Sequence, residues 1–194
     1  MVAPRRCSWC TQDDAYLRYH DEEWGVSELT DQGLFERLVL ESMQAGLSWL
    51  TVLKKRDAMS KRFLGFDINA LAACGDDELN QWLQDPAIIR HQGKLQAVVN
   101  NARCVQKQSN FSSWLWQFAP DDPPVYDTSI GIPSSTTDSV AMSKALKRAG
   151  FRFVGPTICY ALMQSVGMVN DHPTTCFRHE PCAQLRRTVK GAKG

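Results

Sequence analysis

The sequence lacks any long apolar run and any strong charge of one sign. No stretch approaches the roughly 20 apolar residues that a transmembrane helix needs. The basic pair Arg5 and Arg6 is not followed by the apolar segment of a secretory signal. A formal net charge of +1 argues against a uniformly basic protein that coats nucleic acid, although a local basic face remains compatible with it. These absences predict a cytoplasmic protein with no membrane partner.

Cysteine is present without the pattern of a disulfide framework. The chain has seven cysteines, an odd number at irregular spacing, together with four histidines. Such usage is typical of a reducing compartment, where thiols stay available for metal binding. With 194 residues and 43% hydrophobic residues, the chain is long enough to bury a sizeable core.

The sequence also lacks a sustained alternation of apolar and polar residues, so β-strands are not expected. Apolar residues instead recur at helical spacing, as in the stripe of Leu34, Phe35, Leu38 and Val39. The pattern predicts an all-α protein with a single compact domain over residues 1–182. Residues 183–194 are basic with little to bury, so we expect a mobile tail.

Potential metal ligands lie at opposite ends of the chain. They are Cys7, His20, His172 and Cys176. Two thiolates and two imidazoles are what a closed tetrahedral zinc site requires, and such a site would join the two termini. His172 and Cys176 stand at i, i+4, a spacing that can direct both toward one ion.

Spacing alone leaves other ligand sets open. Cys10 forms a CxxC pair with Cys7, which could bind metal or act in redox chemistry. His179 and Cys182 offer further ligands near the C-terminus. Each cysteine could equally be a small buried hydrophobic residue.

A glycine-centred turn at residues 88–95 lies between two segments of helical pattern. Gly93 is expected to allow a tight turn that brings the backbone close to a ligand. N–H groups at the start of the next helix favour a phosphate oxygen, and Arg90 and Lys94 add positive charge. This predicts a DNA phosphate clamp; the alternative is an ordinary corner between packed helices.

A carboxylate lies within an apolar segment. Glu41 follows Leu38, Val39 and Leu40, so it should be near the core, where a carboxylate must be hydrogen-bonded, shifted in pKa or functional. The nearby aromatic residues Tyr16, Tyr19 and Trp49 could be core residues, and Glu41 could form a salt bridge. A pocket for a flipped base needs the same parts, namely flat aromatic faces and one polar group.

Several segments together resemble the family of 3-methyladenine DNA glycosylases I, within the helix–hairpin–helix superfamily. The resemblance runs from about residue 7 to residue 176. It is carried by RCSW at 6–9, YLRYHDEEWG at 16–25, LE at 40–41, QAGLSWLTVLKKR at 44–56, IIRH at 88–91 with GK at 93–94, SKALK at 143–147, and VNDH at 169–172. The blocks occur in the same order as in the family and at similar spacing.

The resemblance implies an enzyme that hydrolyses the N-glycosidic bond of 3-methyladenine in alkylated double-stranded DNA and releases the free base. It implies a helix–hairpin–helix core at about 31–165 and a structural zinc that joins residues 1–30 to 166–182. The implied zinc ligands are Cys7, His20, His172 and Cys176. The implied pocket residues are the carboxylate Glu41 with Tyr16, Tyr19, Trp49, Trp9 and Trp24.

The remaining implied roles concern DNA. Leu47, next to Gly46, is expected to fill the gap that the flipped base leaves, while Gly93, Lys94 and Arg90 contact the backbone. We also expect the base to lie between Tyr19 and Trp49. No obligate protein partner is evident. Two alternatives are a non-enzymatic helix–hairpin–helix module, which would bind DNA without releasing bases, and a zinc-stabilised protein-interaction domain.

Overall fold

The computed structural model describes residues 4–123 and 131–191, and this part of the chain contains helices and no β-strand. The all-α prediction is therefore confirmed. Residues 1–3, the segment 124–130 and residues 192–194 at the end of the predicted tail lie outside the described residues. Within the described ranges, no helix combines the length and the apolar character needed to cross a membrane.

The N-terminal segment is a short α-helix that widens into a π-helix. Helix α1 spans Asp14–Arg18 and is followed directly by the π-helix Tyr19–Glu23. Glu23, at the end of the π-helix, accepts hydrogen bonds from Arg37 at 2.5 Å and Arg56 at 2.7 Å. These ion pairs fix the segment against the next two helices, and π turns often occur at functional sites.

Helices α2 and α3 follow one another in the chain and are joined by a four-residue turn at residues 45–48. Helix α2 spans Asp31–Gln44 and α3 spans Trp49–Arg62. The chain turns at Gly46, whose φ of +77° favours glycine. The Ser48 hydroxyl then caps α3 by accepting a hydrogen bond from the Thr51 N–H.

The middle of the chain supplies the rest of the core. A 3-10 turn at Leu64–Phe66 leads to α4, α5, α6 and α7, which span Ile68–Ala73, Asp76–Gln84, Gln92–Val105 and Phe111–Trp116. Helix α6 packs against α2, α4 and α5 and is buried along most of its length. The first turn of α6 therefore lies beside the C-terminal end of α2.

Helices α8 and α9 complete the wall behind α2. Helix α8 spans Thr137–Arg148 and is followed by Gly150 with a φ of +92°, a typical glycine position after a helix end. Helix α9 spans Pro156–Ser165 and begins with proline in its first turn. Because α9 packs against both α2 and α8, it presents one face to the same cavity as α2.

The expectation of a mobile tail is wrong for the residues that the structure describes. Residues His179–Gly191 form helix α10. Cys182 is fully buried, and the buried Arg186 donates from Nε to the Met168 carbonyl at 2.9 Å and from Nη2 to the Pro120 carbonyl. The basic composition predicted a solvated segment, but the segment is an amphipathic helix. The arginine on its inner face donates hydrogen bonds to main-chain carbonyls and does not face water.

Candidate functional site

A cavity of about 470 Å³ opens between the N-terminal segment and helices α2, α3 and α9. The aromatic residues expected in a base pocket all line it: Trp9, Tyr16, Tyr19, Trp24 and Trp49. Glu41 lines the same cavity from α2. The structure thus brings together every residue that the resemblance placed in the pocket.

The aromatic side chains contact one another in tilted and edge-to-face arrangements. Trp9 packs against Trp24 at a centroid distance of 5.0 Å and against Tyr16 at 5.9 Å. The rings of Tyr19 and Trp49 are 5.0 Å apart and tilted by 55°. Rings in direct contact leave no space for a third ring between them, so a base between Tyr19 and Trp49 is not supported. These rings form adjoining walls of the cavity instead.

Glu41 is a buried acid with an altered proton affinity. Its side chain is only 3% exposed, and burial raises its pKa to about 8, opposed by the Arg37 charge and the Ser165 hydroxyl. Its surroundings in the protein therefore favour a protonated Glu41 around neutral pH. A cation that enters the cavity supplies the positive charge that favours the carboxylate.

The indole of Trp49 has a buried hydrogen-bond donor. Its Nε1–H is buried and has no acceptor within the described residues. A buried donor without a partner costs free energy, on the order of 1–3 kcal/mol. The cavity combines a buried acid with aromatic faces, which together suit a flat heteroaromatic ligand.

A second group of side chains brings the chain termini together. The ligand atoms of Cys7, His20, His172 and Cys176 all lie within 4.8 Å of one another and are buried. The Sγ of Cys176 is 3.4 Å from His20 Nε2 and 3.4 Å from His172 Nδ1, and Cys7 Sγ is 3.3 Å from His172 Nδ1. In tetrahedral zinc sites, sulfur and nitrogen ligands lie about 3.6 Å apart.

The outward nitrogen of each imidazole is held by an acceptor. His20 Nδ1 lies 2.8 Å from Asp21 Oδ1, and Asp21 in turn accepts from Arg6 at 2.6 Å. His172 Nε2 lies 3.0 Å from the Trp24 carbonyl oxygen. Burial lowers the pKa of His172 to about 4, so the ring is neutral at physiological pH. Each ring therefore directs a lone pair toward the centre of the group, as metal ligands do.

The turn at residues 45–48 projects an apolar side chain into solvent. Leu47 is 40% exposed, and nothing lies within 4 Å of a Cβ added at Gly46. The turn borders the aromatic cavity through Ser48 and a second groove of about 460 Å³ through Gly46 and Leu47. Leu47 therefore lines the groove, and the residue that follows it lines the aromatic cavity.

That second groove is formed with the segment predicted to clamp phosphate, but the predicted turn at Gly93 and the predicted free charge of Lys94 are not observed. Gly93 lies inside the first turn of α6 and does not have a positive φ. Lys94 is 5% exposed, and its Nζ donates to the carbonyls of Met43 and Ala45. The His91 side chain accepts from the Lys94 N–H at 3.3 Å, so this helix start is capped from within the chain. Arg90 is exposed beside the groove.

Residues that the sequence reasoning missed also line the aromatic cavity. They are Gln44, Ser48, Ile132, Pro133, Ala161 and Gln164. Ala161 and Gln164 lie at i, i+3 on α9, so they share a face. A polar Gln164 near the end of an otherwise apolar helix was the available signal.

Comparison with known proteins places this geometry in a family. The model of the methyladenine glycosylase family matches residues 9–179. This chain belongs to the methyladenine glycosylase family. The DNA-3-methyladenine glycosylase 1 of Escherichia coli K12 is 48% identical over 177 residues, which cover 88% of this chain and 95% of that protein.

Solved structures of family members share the architecture. A crystal structure of 3-methyladenine DNA glycosylase I has a TM-score of 0.85 at 46% identity, covering 90% of this chain and all of the other. A substituted 3-methyladenine DNA glycosylase I in complex with 3-methyladenine has a TM-score of 0.84 at 32% identity, covering 90% and 97%. The family likeness therefore extends over nearly the whole chain.

Proposed function

We propose that this protein is a DNA glycosylase that hydrolyses the N-glycosidic bond of 3-methyladenine in alkylated double-stranded DNA. Glu41, buried in an aromatic cavity, is the observation that carries the proposal. A carboxyl group in this position has little to gain from water and little from the apolar walls. The Arg37 charge and the Ser165 hydroxyl favour its ionised form only in part, so a cation in the cavity would stabilise the carboxylate further. A methylated purine within DNA is such a cation.

The chemistry follows from the charge of the base. A cationic purine is already a good leaving group, so it needs little protonation before the bond between the sugar C1′ and the base nitrogen breaks. The bonding electrons leave with the base, which becomes neutral, and water adds to the oxocarbenium-like sugar and loses a proton. The base must be turned out of the duplex before this step, because a stacked base cannot reach the cavity.

Glu41 contributes recognition and charge stabilisation in this scheme. A carboxylate can accept hydrogen bonds from the edge of the base, and its negative charge favours positive charge on the bound nucleotide. The aromatic walls favour the cation, typically by about 0.5–2 kcal/mol for such contacts. The pocket therefore selects a flat, positively charged base.

We further propose that Cys7, His20, His172 and Cys176 hold a structural zinc ion. Their donor set, separations and fixed imidazole orientations fit this metal. Four protein ligands saturate a tetrahedral ion and leave no position for substrate. The residues would join the N-terminal segment, which carries Trp9 and Tyr19, to the segment that follows α9.

Duplex DNA is proposed to lie across the groove beside Leu47. Helix α5, residues 85–91 and α6 would form the hairpin, and the exposed Arg90 would contact a phosphate. Leu47 would fill the space that the extruded base vacates, as apolar side chains do in proteins that open base steps. Gly46, at positive φ, lets the turn present this side chain.

The test is release of 3-methyladenine from duplex DNA treated with a methylating agent, measured by chromatography of the freed bases. Glu41→Gln keeps the shape of the side chain but removes its charge, so we expect activity to fall about 10- to 100-fold, the range for a lost charge-assisted hydrogen bond. Glu36→Gln is the matched control, because Glu36 lies on the same helix but pairs with Arg56 outside the cavity.

Glu36→Gln should release the base at the wild-type rate. Wild-type protein that binds alkylated DNA without releasing any base would overturn the proposal and favour a non-enzymatic binding module. Equal losses in both variants would show that Glu41 acts through stability and not through the pocket.

A further inference from the structure

Gln164 lines the aromatic cavity, and its amide is hydrogen-bonded to a residue outside the cavity. Its Nε2 donates to Oδ2 of Asp171 at 2.7 Å, and the Tyr160 hydroxyl donates to the same oxygen at 2.7 Å. Asp171 is 7% exposed and does not line the aromatic cavity, whereas Gln164 does. The donor end of the amide is thus turned toward a buried acid behind the cavity.

This hydrogen bond also fixes the direction of the amide oxygen, Oε1. An amide has one donor group and one acceptor, so an amide whose Nε2 faces Asp171 presents Oε1 on its remaining side. Oε1 accepts no hydrogen bond from the described residues.

We propose that Gln164 is a specificity-determining residue whose Oε1 accepts a hydrogen bond from an exocyclic amine of the bound base, and that Asp171 is the positioning residue that fixes this orientation. The inference rests on the proposed function. An exocyclic amine carries two N–H groups, so it can serve both Glu41 and Gln164, which line the same cavity. A purine with an oxo group at that position presents an oxygen, which the Oε1 acceptor would repel.

The expected discrimination between an amino base and an oxo base comes from acceptors of the site that the oxo base leaves unpaired. A site built to hydrogen-bond an N–H group rejects an analogue without it, because the acceptors of the site stay buried and unsatisfied. When Asp171 is replaced by asparagine, which can also offer a donor to Gln164, the amide can rotate and present Nε2, a donor, to the base. Asp171→Asn therefore should change which base binds, and not only how tightly the protein folds.

The experiment compares binding of free 3-methyladenine and free 3-methylhypoxanthine, which differ at the C6 edge, by quenching of tryptophan fluorescence. Wild type should prefer 3-methyladenine. Gln164→Met keeps the side-chain volume and should lose about tenfold in affinity for 3-methyladenine, the effect of one hydrogen bond, with no loss for the oxo base. Asp171→Asn should lower the ratio of affinities by at least about tenfold through a gain for the oxo base.

Tyr160→Phe is the matched control, because it removes the other donor to Asp171 and leaves the bond to Gln164 in place. Its affinity ratio should equal that of wild type. Zinc content and thermal midpoint are measured for every variant, since Asp171 adjoins His172 in the sequence. If Asp171→Asn does not fold, Gln164→Met alone decides the specificity role.

An unchanged affinity ratio in Gln164→Met would overturn the role of Gln164. A changed ratio in Gln164→Met with an unchanged ratio in a folded Asp171→Asn would overturn the role of Asp171. Both outcomes differ from failure of the proposed function, in which wild-type protein would release no 3-methyladenine from DNA.

Discussion

The Nζ of Lys94 lies 2.6 Å from the carbonyl oxygen of Ala45 and donates a hydrogen bond to it. A second hydrogen bond, of 2.8 Å, reaches the Met43 carbonyl. The last carbonyls of a helix have no partner within the helix, and a cation there also interacts favourably with the helix dipole. Lys94 therefore joins the start of α6 to the end of α2, directly before the turn that carries Leu47.

We expect Lys94→Met to weaken this connection. The variant leaves the buried carbonyl of Met43 and the partly buried carbonyl of Ala45 without this donor. The loss of these hydrogen bonds should lower the free energy of unfolding by about 1–3 kcal/mol. The Leu47 turn should be less well held, so base release from duplex DNA should fall more than affinity for free 3-methyladenine. Urea denaturation and single-turnover base release measure the two effects.

The variant Arg90→Met distinguishes the structural role of Lys94 from a contact with a DNA phosphate. Arg90 is exposed, so its loss should leave stability unchanged and make the slope of log affinity against log salt shallower by about 1. Lys94→Met should leave that slope unchanged. The opposite pattern, with a shallower slope and full stability in Lys94→Met, would contradict the structural role of Lys94.

Leu47→Ala should impair base release without impairing the pocket. The Leu47 side chain is 40% exposed, so truncation removes little core packing and stability should change by less than about 0.5 kcal/mol. Loss of the wedge should disfavour the extruded base by an amount on the order of the stacking energy, a few kcal/mol at most.

Free-base binding and base release, measured side by side, check the prediction for Leu47. Leu29→Ala is the matched control, because Leu29 is 48% exposed and lines neither the pocket nor the groove. It should behave as wild type in both assays. Equal losses of binding and release in Leu47→Ala would indicate that Leu47 lines the pocket.

Glu41→Gln should stabilise the fold in a pH-dependent manner. Because the pKa of Glu41 is about 8 in the folded state against an ordinary 4.5, the folded state retains a proton that the unfolded state releases between these values. Wild-type stability therefore declines as pH rises from about 4.5 to about 8. Gln carries no such proton, so the advantage of the variant should grow over that window to a few kcal/mol.

Urea denaturation of both proteins at several pH values between about 5 and 9 tests this sign. The difference between the variant and wild type is the informative quantity, because titration elsewhere in the chain cancels in it. A difference that is flat across the window would show that Glu41 has an ordinary pKa. If Glu41→Gln were less stable than wild type at high pH, the Glu41 carboxylate would be stabilised by its surroundings in the folded protein.

Parts of the site could be predicted because the sequence places unusual residues in recognisable surroundings. Glu41 stands after three apolar residues in an amphipathic helix, and its burial follows from that phase. The four candidate metal ligands are another case. Their residue types indicated metal binding, but only the folded chain or a family resemblance separates them from Cys10, His179 and Cys182.

Other features depend on tertiary partners that no local pattern records. The sequence predicts Lys94 to be a surface cation at the start of a helix. In the structure, the end of α2 packs against Lys94 and buries its ammonium group. Gly93 reads as a turn residue, yet the helix begins before it. Gln164 faces a cavity whose opposite wall comes from residues more than a hundred positions away.

Cys176→Ser should remove the zinc and lower stability before it alters the chemistry of base release. A site of four protein ligands contributes folding free energy and offers no position for substrate. Metal analysis of the purified protein and its thermal midpoint measure the loss. Cys10→Ser is the control, because Cys10 lies outside the group of four ligands; it should keep both zinc and stability. Wild-type protein without bound metal would contradict the assignment.

Arg186 gives a direct comparison with its neighbour on α10. Its guanidinium is buried and donates to the carbonyls of Met168 and Pro120, whereas Arg187 pairs with Glu180 at a site where both side chains are 62% exposed. Arg186→Met should lower the free energy of unfolding by about 1–3 kcal/mol, because it leaves main-chain acceptors without a donor. Arg187→Met should change it by less than about 0.5 kcal/mol, since exposed ion pairs contribute little. Urea denaturation distinguishes the two, and equal effects would show that α10 does not dock through Arg186.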